Sequence, residues 1–159
     1  MLHLAGHFVA VPGSLYHSQL FSGSGPISVS LLLGEEFEWQ GLPLLVLSAC
    51  STAIMDAGNG AMQELGNLFI ERGVSSVLGT LWPVSDMASS RLVSQFYHHL
   101  ASHDDFRPSI ALAQAQRACL LNSSSVEIPV RTTRGLDISL SQPDYSHPYY
   151  WAGYKVQTI

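Results

Sequence analysis

The sequence predicts an α/β protein in which a parallel sheet is covered by helices on both faces. Three observations carry that reading. The apolar segments 42–49 (LPLLVLSA) and 75–82 (SSVLGTLW) lack polar alternation, as strands buried on both faces do. A stripe at helical spacing lies between them, and two more follow. Strand, helix, strand, then helices and a last strand is the order of an α/β layout.

Taken in order, residues 2–11 (LHLAGHFVAV) predict the first strand. Residues 12–26 (PGSLYHSQLFSGSGP) are rich in Gly, Ser and Pro and predict a long loop with room for a short hairpin. The strand at 42–49 runs up to Cys50. A helix over 60–72 places Ala61, Met62, Leu65, Leu68 and Phe69 on one stripe, and Gly73 ends it. After the strand at 75–82, residues 87–102 repeat the helical spacing with Ala88, Leu92, Val93, Phe96 and Leu100. Pro108 opens a third helix over 108–121, where a first-turn proline is well tolerated. Residues 122–147 are polar and predict a surface excursion. HPYYW (147–151) predicts a turn into a last strand at 149–157. All of this fits one domain over 1–159.

Composition excludes several functions. Hydrophobic residues make up 47% and charged residues 12%, which argues for a folded core and against disorder. Net charge is −5, and no Lys/Arg-rich run occurs, so neither nucleic acid nor an anionic membrane is an expected partner. No apolar run reaches the roughly 18–20 residues of a membrane span. The N-terminus lacks the features of a signal peptide, and two cysteines make no disulfide framework, so a cytoplasmic location is expected.

Cys50 ends a buried strand and is followed by small and hydroxyl residues. In open parallel sheets, ligands bind beyond the carboxyl ends of the strands. His7 stands near the same end of the first strand. If the two strands are neighbours, their backbones lie about 4.8 Å apart. An imidazole there can take the thiol proton, and the thiolate is the nucleophile. Backbone N–H groups in the turn after Cys50 would suit a developing oxyanion. The plainer account is a buried structural cysteine beside a hydrogen-bonded strand-end histidine. Cys119, in the Ala-rich stretch ALAQAQRAC, reads as buried and inert.

No metal site is expected. His3 and His7 lie roughly 13 Å apart along a strand, and His99 and His103, at helical i,i+4 spacing, have no HExxH or CxxC beside them. No phosphate-binding glycine motif and no GxSxG elbow occurs.

HLAGH, LLVLSACSTA, GVSSVLGTLWPVSD and HPYYWAGYKVQ occur in this order and span nearly the whole chain. Together they resemble the CHAT domain, a caspase-like peptidase domain related to separase. The resemblance implies a caspase-like α/β fold with a mainly parallel sheet. It also implies peptide-bond cleavage by a Cys–His dyad, with His7 and Cys50 as the dyad and backbone N–H groups at Phe8 and Cys50 holding the oxyanion. Asp86, with Trp82 as a wall, would line a pocket for a basic residue before the cleaved bond; the plainer reading makes Asp86 a helix N-cap and Trp82 a core aromatic. The partners implied are a protein or peptide substrate and a regulatory helical-repeat domain or N-terminal segment, with no metal or organic cofactor.

Two departures stand out. Phe8 follows the histidine where the family usually has glycine, and the chain starts almost at the histidine strand, so a fragment, a truncated homologue or one part of a larger polypeptide is expected, the C-terminal portion of the domain with one sheet edge uncovered. Both features favour the alternative reading, a catalytically weak scaffold or interaction module.

Overall fold

The computed structural model describes residues 1–51, 61–121, 127–131, 137–141 and 144–159. The strands are β1 (Leu2–Val9), β2 (Gln19–Ser22), β3 (Gly25–Ser28), β4 (Leu45–Ser51), β5 (Ser76–Thr80), β6 (Glu127–Arg131), β7 (Asp137–Ser141) and β8 (Tyr154–Thr158). The helices are α1 (Val29–Leu32), α2 (Ala61–Glu71), α3 (Asp86–Ala101) and α4 (Pro108–Leu121). Among the described residues, six strands form one sheet in the order β3-β2-β1-β4-β5-β8. Its middle, β1-β4-β5, is parallel, while β2, β3 and β8 run antiparallel to their neighbours. β6 and β7 pair antiparallel as a separate two-stranded sheet within the segment expected to be a surface excursion.

The missing polar alternation in β4 and β5 has a direct cause: each face of the sheet meets its own core. Leu45, Leu47 and Val77 pack with Leu65 and Phe69 of α2 and with Val29 and Leu32 of α1. The alternate residues Leu44, Val46 and Leu78 pack with Leu92 and Phe96 of α3 and Ala111 and Ala115 of α4. With successive side chains pointing to opposite faces, an apolar residue is needed at every position. The result is the helix–sheet–helix layering of a caspase-like α/β fold.

The loop expected at 12–26 is ordered over much of its length. A hairpin at 19–28 adds β2 and β3 beside β1, so the β1 edge is covered. Ser18, fully buried, ties the hairpin down: its Oγ accepts from Val11 N–H at 2.9 Å and its carbonyl from Val29 N–H at 2.9 Å. The last strand is shorter than expected, because Pro148–Tyr150 form a 3-10 turn before β8 begins at Tyr154.

The helix ends follow local chemistry. Gly73, at φ +96°, lets its own N–H reach Ile70 O at 2.9 Å and Val74 N–H reach Phe69 O at 3.1 Å, the paired bonds of a Schellman stop after α2. Pro108 opens α4 in its first turn. α3 ends at Ala101, so His103 falls outside it and the expected helical spacing with His99 is not formed; His103 Nε2 lies 3.3 Å from Gln114 Oε1 instead. Gln116 of α4 donates to the carbonyls of Trp151 and Tyr154, locking the entry to β8. Among the described residues, no helix is long and apolar enough to cross a membrane.

Candidate active site

β1 and β4 are parallel neighbours over seven registered pairs from Leu2↔Leu45 to Phe8↔Ser51. His7 pairs with Cys50. Directly paired positions of neighbouring strands belong to the same face of a pleated sheet, and both stand at the carboxyl ends of their strands. The neighbourhood asked of these strands is therefore formed. The turn expected after Cys50 falls in 52–60, outside the described residues.

On this face a cleft of about 470 Å³ lies between β1 and α3. His3, Ala5, Gly6 and His7 of β1 and Ser48 of β4 line one side. Asp86, Ser89, Ser90, Val93, Ser94 and Tyr97 of α3 line the other. Because α3 follows β5 through a short connection, its N-terminus stands at the His7 end, and Asp86 with it. At the far end, Tyr97 Oη and His3 Nδ1 lie 3.0 Å apart. Burial pushes the His3 imidazole below its ordinary value and the Tyr97 phenol above its own.

The structure separates Asp86 from the capping role. Ser85 is the N-cap of α3, and its Oγ accepts from Ala88 N–H at 3.3 Å. Asp86 is the first helical residue, exposed at the mouth of the cleft. The apolar stripe of α3 faces the core, so its Ser-rich face is left for the cleft. That face is legible in the spacing of Asp86, Ser89, Ser90, Val93 and Tyr97, the side of the helix beside its apolar stripe. Nothing local in the sequence announces Tyr97 as the partner of His3.

Trp82 stands beyond the described lining of the cleft. Its indole N–H donates to Tyr149 O at 2.9 Å, and its ring packs so closely on Gly153 that a Cβ there would lie 2.7 Å from it. Phe8 is fully buried in the α2-side core, the face opposite His7, so its side chain does not enter the cleft. It is registered with Leu20 on one flank and Ser51 on the other. Gly6 has a structural reason to be glycine: an added Cβ would run into the Phe21 carbonyl of β2. Cys119 is buried in α4, and burial pushes its thiol up, with the Arg91 charge offsetting part of the rise.

The helix–sheet–helix fold is that of a caspase-like domain, with His7 registered to Cys50 toward the carboxyl ends of two parallel strands. A family profile for the CHAT domain matches residues 1–158, and the chain belongs to that family. The family is related to cysteine peptidases of the caspase type. A search of curated proteins finds no significant match.

Proposed function

We propose that the chain is a cysteine endopeptidase domain working through Cys50 and His7. The single observation that carries this reading is the β1–β4 register, which makes His7 the direct neighbour of Cys50. His7 takes the thiol proton, and the thiolate attacks the peptide carbonyl carbon. The oxyanion rests on backbone N–H groups, with Phe8 and Cys50 as donors. As the C–N bond breaks, the imidazolium protonates the leaving amine, and water then hydrolyses the thioester. Asp86 at the cleft mouth receives a basic side chain before the cleaved bond; Trp82, turned to Tyr149 and Gly153, stands behind that pocket rather than lining it. A neighbouring helical-repeat domain or partner is the proposed regulator, on the strength of family membership.

A second reading, a catalytically silent scaffold, is favoured by one observation. Phe8 is registered with a strand on either flank, and a strand N–H that bonds its neighbour is not free for an oxyanion.

An electrophilic peptide probe with Arg at the position before the reactive group separates the two. Mass spectrometry should find the adduct on Cys50, none on Cys119 and none on the Cys50→Ala variant. His7→Ala should slow alkylation near neutral pH more than His3→Ala does. An adduct that persists in Cys50→Ala, or a folded wild type that takes no probe, rejects the enzyme reading.

A further inference from the structure

The cleft extends well past the His7–Cys50 end. From His7 to His3 it follows β1 for roughly 13 Å, at about 3.3 Å per residue. From Asp86 to Tyr97 it follows α3 for roughly 16 Å, at about 1.5 Å per residue. These lengths match an extended polypeptide of about four residues. The lining suits such an occupant. Asp86 complements a basic side chain at one end, and the hydroxyls of Ser48, Ser90 and Ser94 offer donors and acceptors to a backbone along the middle. Ala5 and Val93 are the only aliphatic side chains among the described lining residues, too little apolar surface to seat an amphipathic helix.

We propose that this cleft takes an extended stretch of substrate running from the His7–Cys50 end to His3. There the His3 imidazole, held by Tyr97, receives a backbone carbonyl about four residues from the cleaved bond. This inference rests on the peptidase reading and extends it. The 3.0 Å contact allows either tautomer; in the one where Nδ1 accepts from the Tyr97 hydroxyl, the neutral ring carries its proton on Nε2, and Nε2–H is a donor matched to a carbonyl. Burial favours that neutral form. In that tautomer Tyr97 is a positioning residue that holds the ring.

The competing account is that the His3–Tyr97 bond only fastens α3 to β1. Titration calorimetry on the full chain carrying Cys50→Ala distinguishes them and needs no cleavage. The probes are Arg-containing peptides extended by two or by four residues, on each side of the bond in turn. On one side the longer peptide should bind about three- to tenfold tighter, the worth of one hydrogen bond. His3→Ala, and separately Tyr97→Phe, should erase that advantage, so that long and short peptides bind alike. In the cysteine form the loss should fall on KM rather than kcat. A length advantage that survives both variants, or none on either side, overturns the inference. A His3-dependent advantage without cleavage by the cysteine form rejects only the peptidase reading, whereas cleavage without it rejects only the extended cleft.

Discussion

At the start of α3, folding and recognition are divided between neighbours. Ser85 caps the helix through its Oγ, and Asp86 faces the cleft mouth one residue later. Ser85→Ala should therefore lower stability by about 1 kcal/mol, the usual worth of such a cap, with substrate choice unchanged. Asp86→Asn should act chiefly on recognition. It removes a favourable charge from the first turn, costing about 0.3–1 kcal/mol, and abolishes any preference for Arg over an uncharged residue. Because Asp86 is exposed, the preference it supports is modest, about 0.5–1.4 kcal/mol or roughly two- to tenfold. Thermal unfolding of both variants, with cleavage or capture of peptides varied at that position, checks the division. Equal loss of selectivity in Ser85→Ala would show that helix geometry, not the carboxylate, sets the choice.

β1 is the element on which the site depends. It is registered with β2 on one side and β4 on the other, and it carries both His3 and His7 on the cleft face and Phe8 into the opposite core. Gly6 lets the β2 backbone approach, since any Cβ there would meet the Phe21 carbonyl. Gly6→Ala must push the hairpin away or shift β1 itself. An expected loss of roughly 1–3 kcal/mol follows from such overpacking. The denaturation midpoint should fall, and Cys50 alkylation should slow because His7 moves with its strand. An unchanged midpoint would mean the hairpin yields freely and does not brace the site. The HLAGH stretch thus makes sense residue by residue: two histidines for the cleft, and a glycine for the strand beside it.

At the scale of the whole molecule, the sheet divides two cores. Phe69 anchors the α2 side and Phe96 the α3–α4 side, and both are fully buried. They sit in separate clusters that have no member in common among the described residues, so their energetic effects should be independent. Phe69→Leu and Phe96→Leu should each cost roughly 1–2 kcal/mol, from lost burial and a residual cavity. The double variant should lose their sum to within about 0.5 kcal/mol in urea unfolding. A coupling well above that would show strain passing through the sheet from one core to the other.

What the sequence by itself determined was local in origin. Apolar runs without alternation marked β4 and β5, the 3.6-residue stripes marked α2, α3 and α4, and Gly73 and Pro108 marked a helix end and a helix start, because period and capping are properties of a few adjacent residues. The placing of His7 and Cys50 near strand ends was legible for the same reason. The rest needed the fold. That the hairpin covers the β1 edge, that His7 falls opposite Cys50, and that Phe8 points away from the cleft depend on which strands become neighbours and in what register. Tyr97 meets His3 across 94 positions of chain, a contact that no window of sequence contains. Pairing over such distances is decided by the burial of two cores at once, a free energy that belongs to the assembled sheet and helices rather than to any one segment.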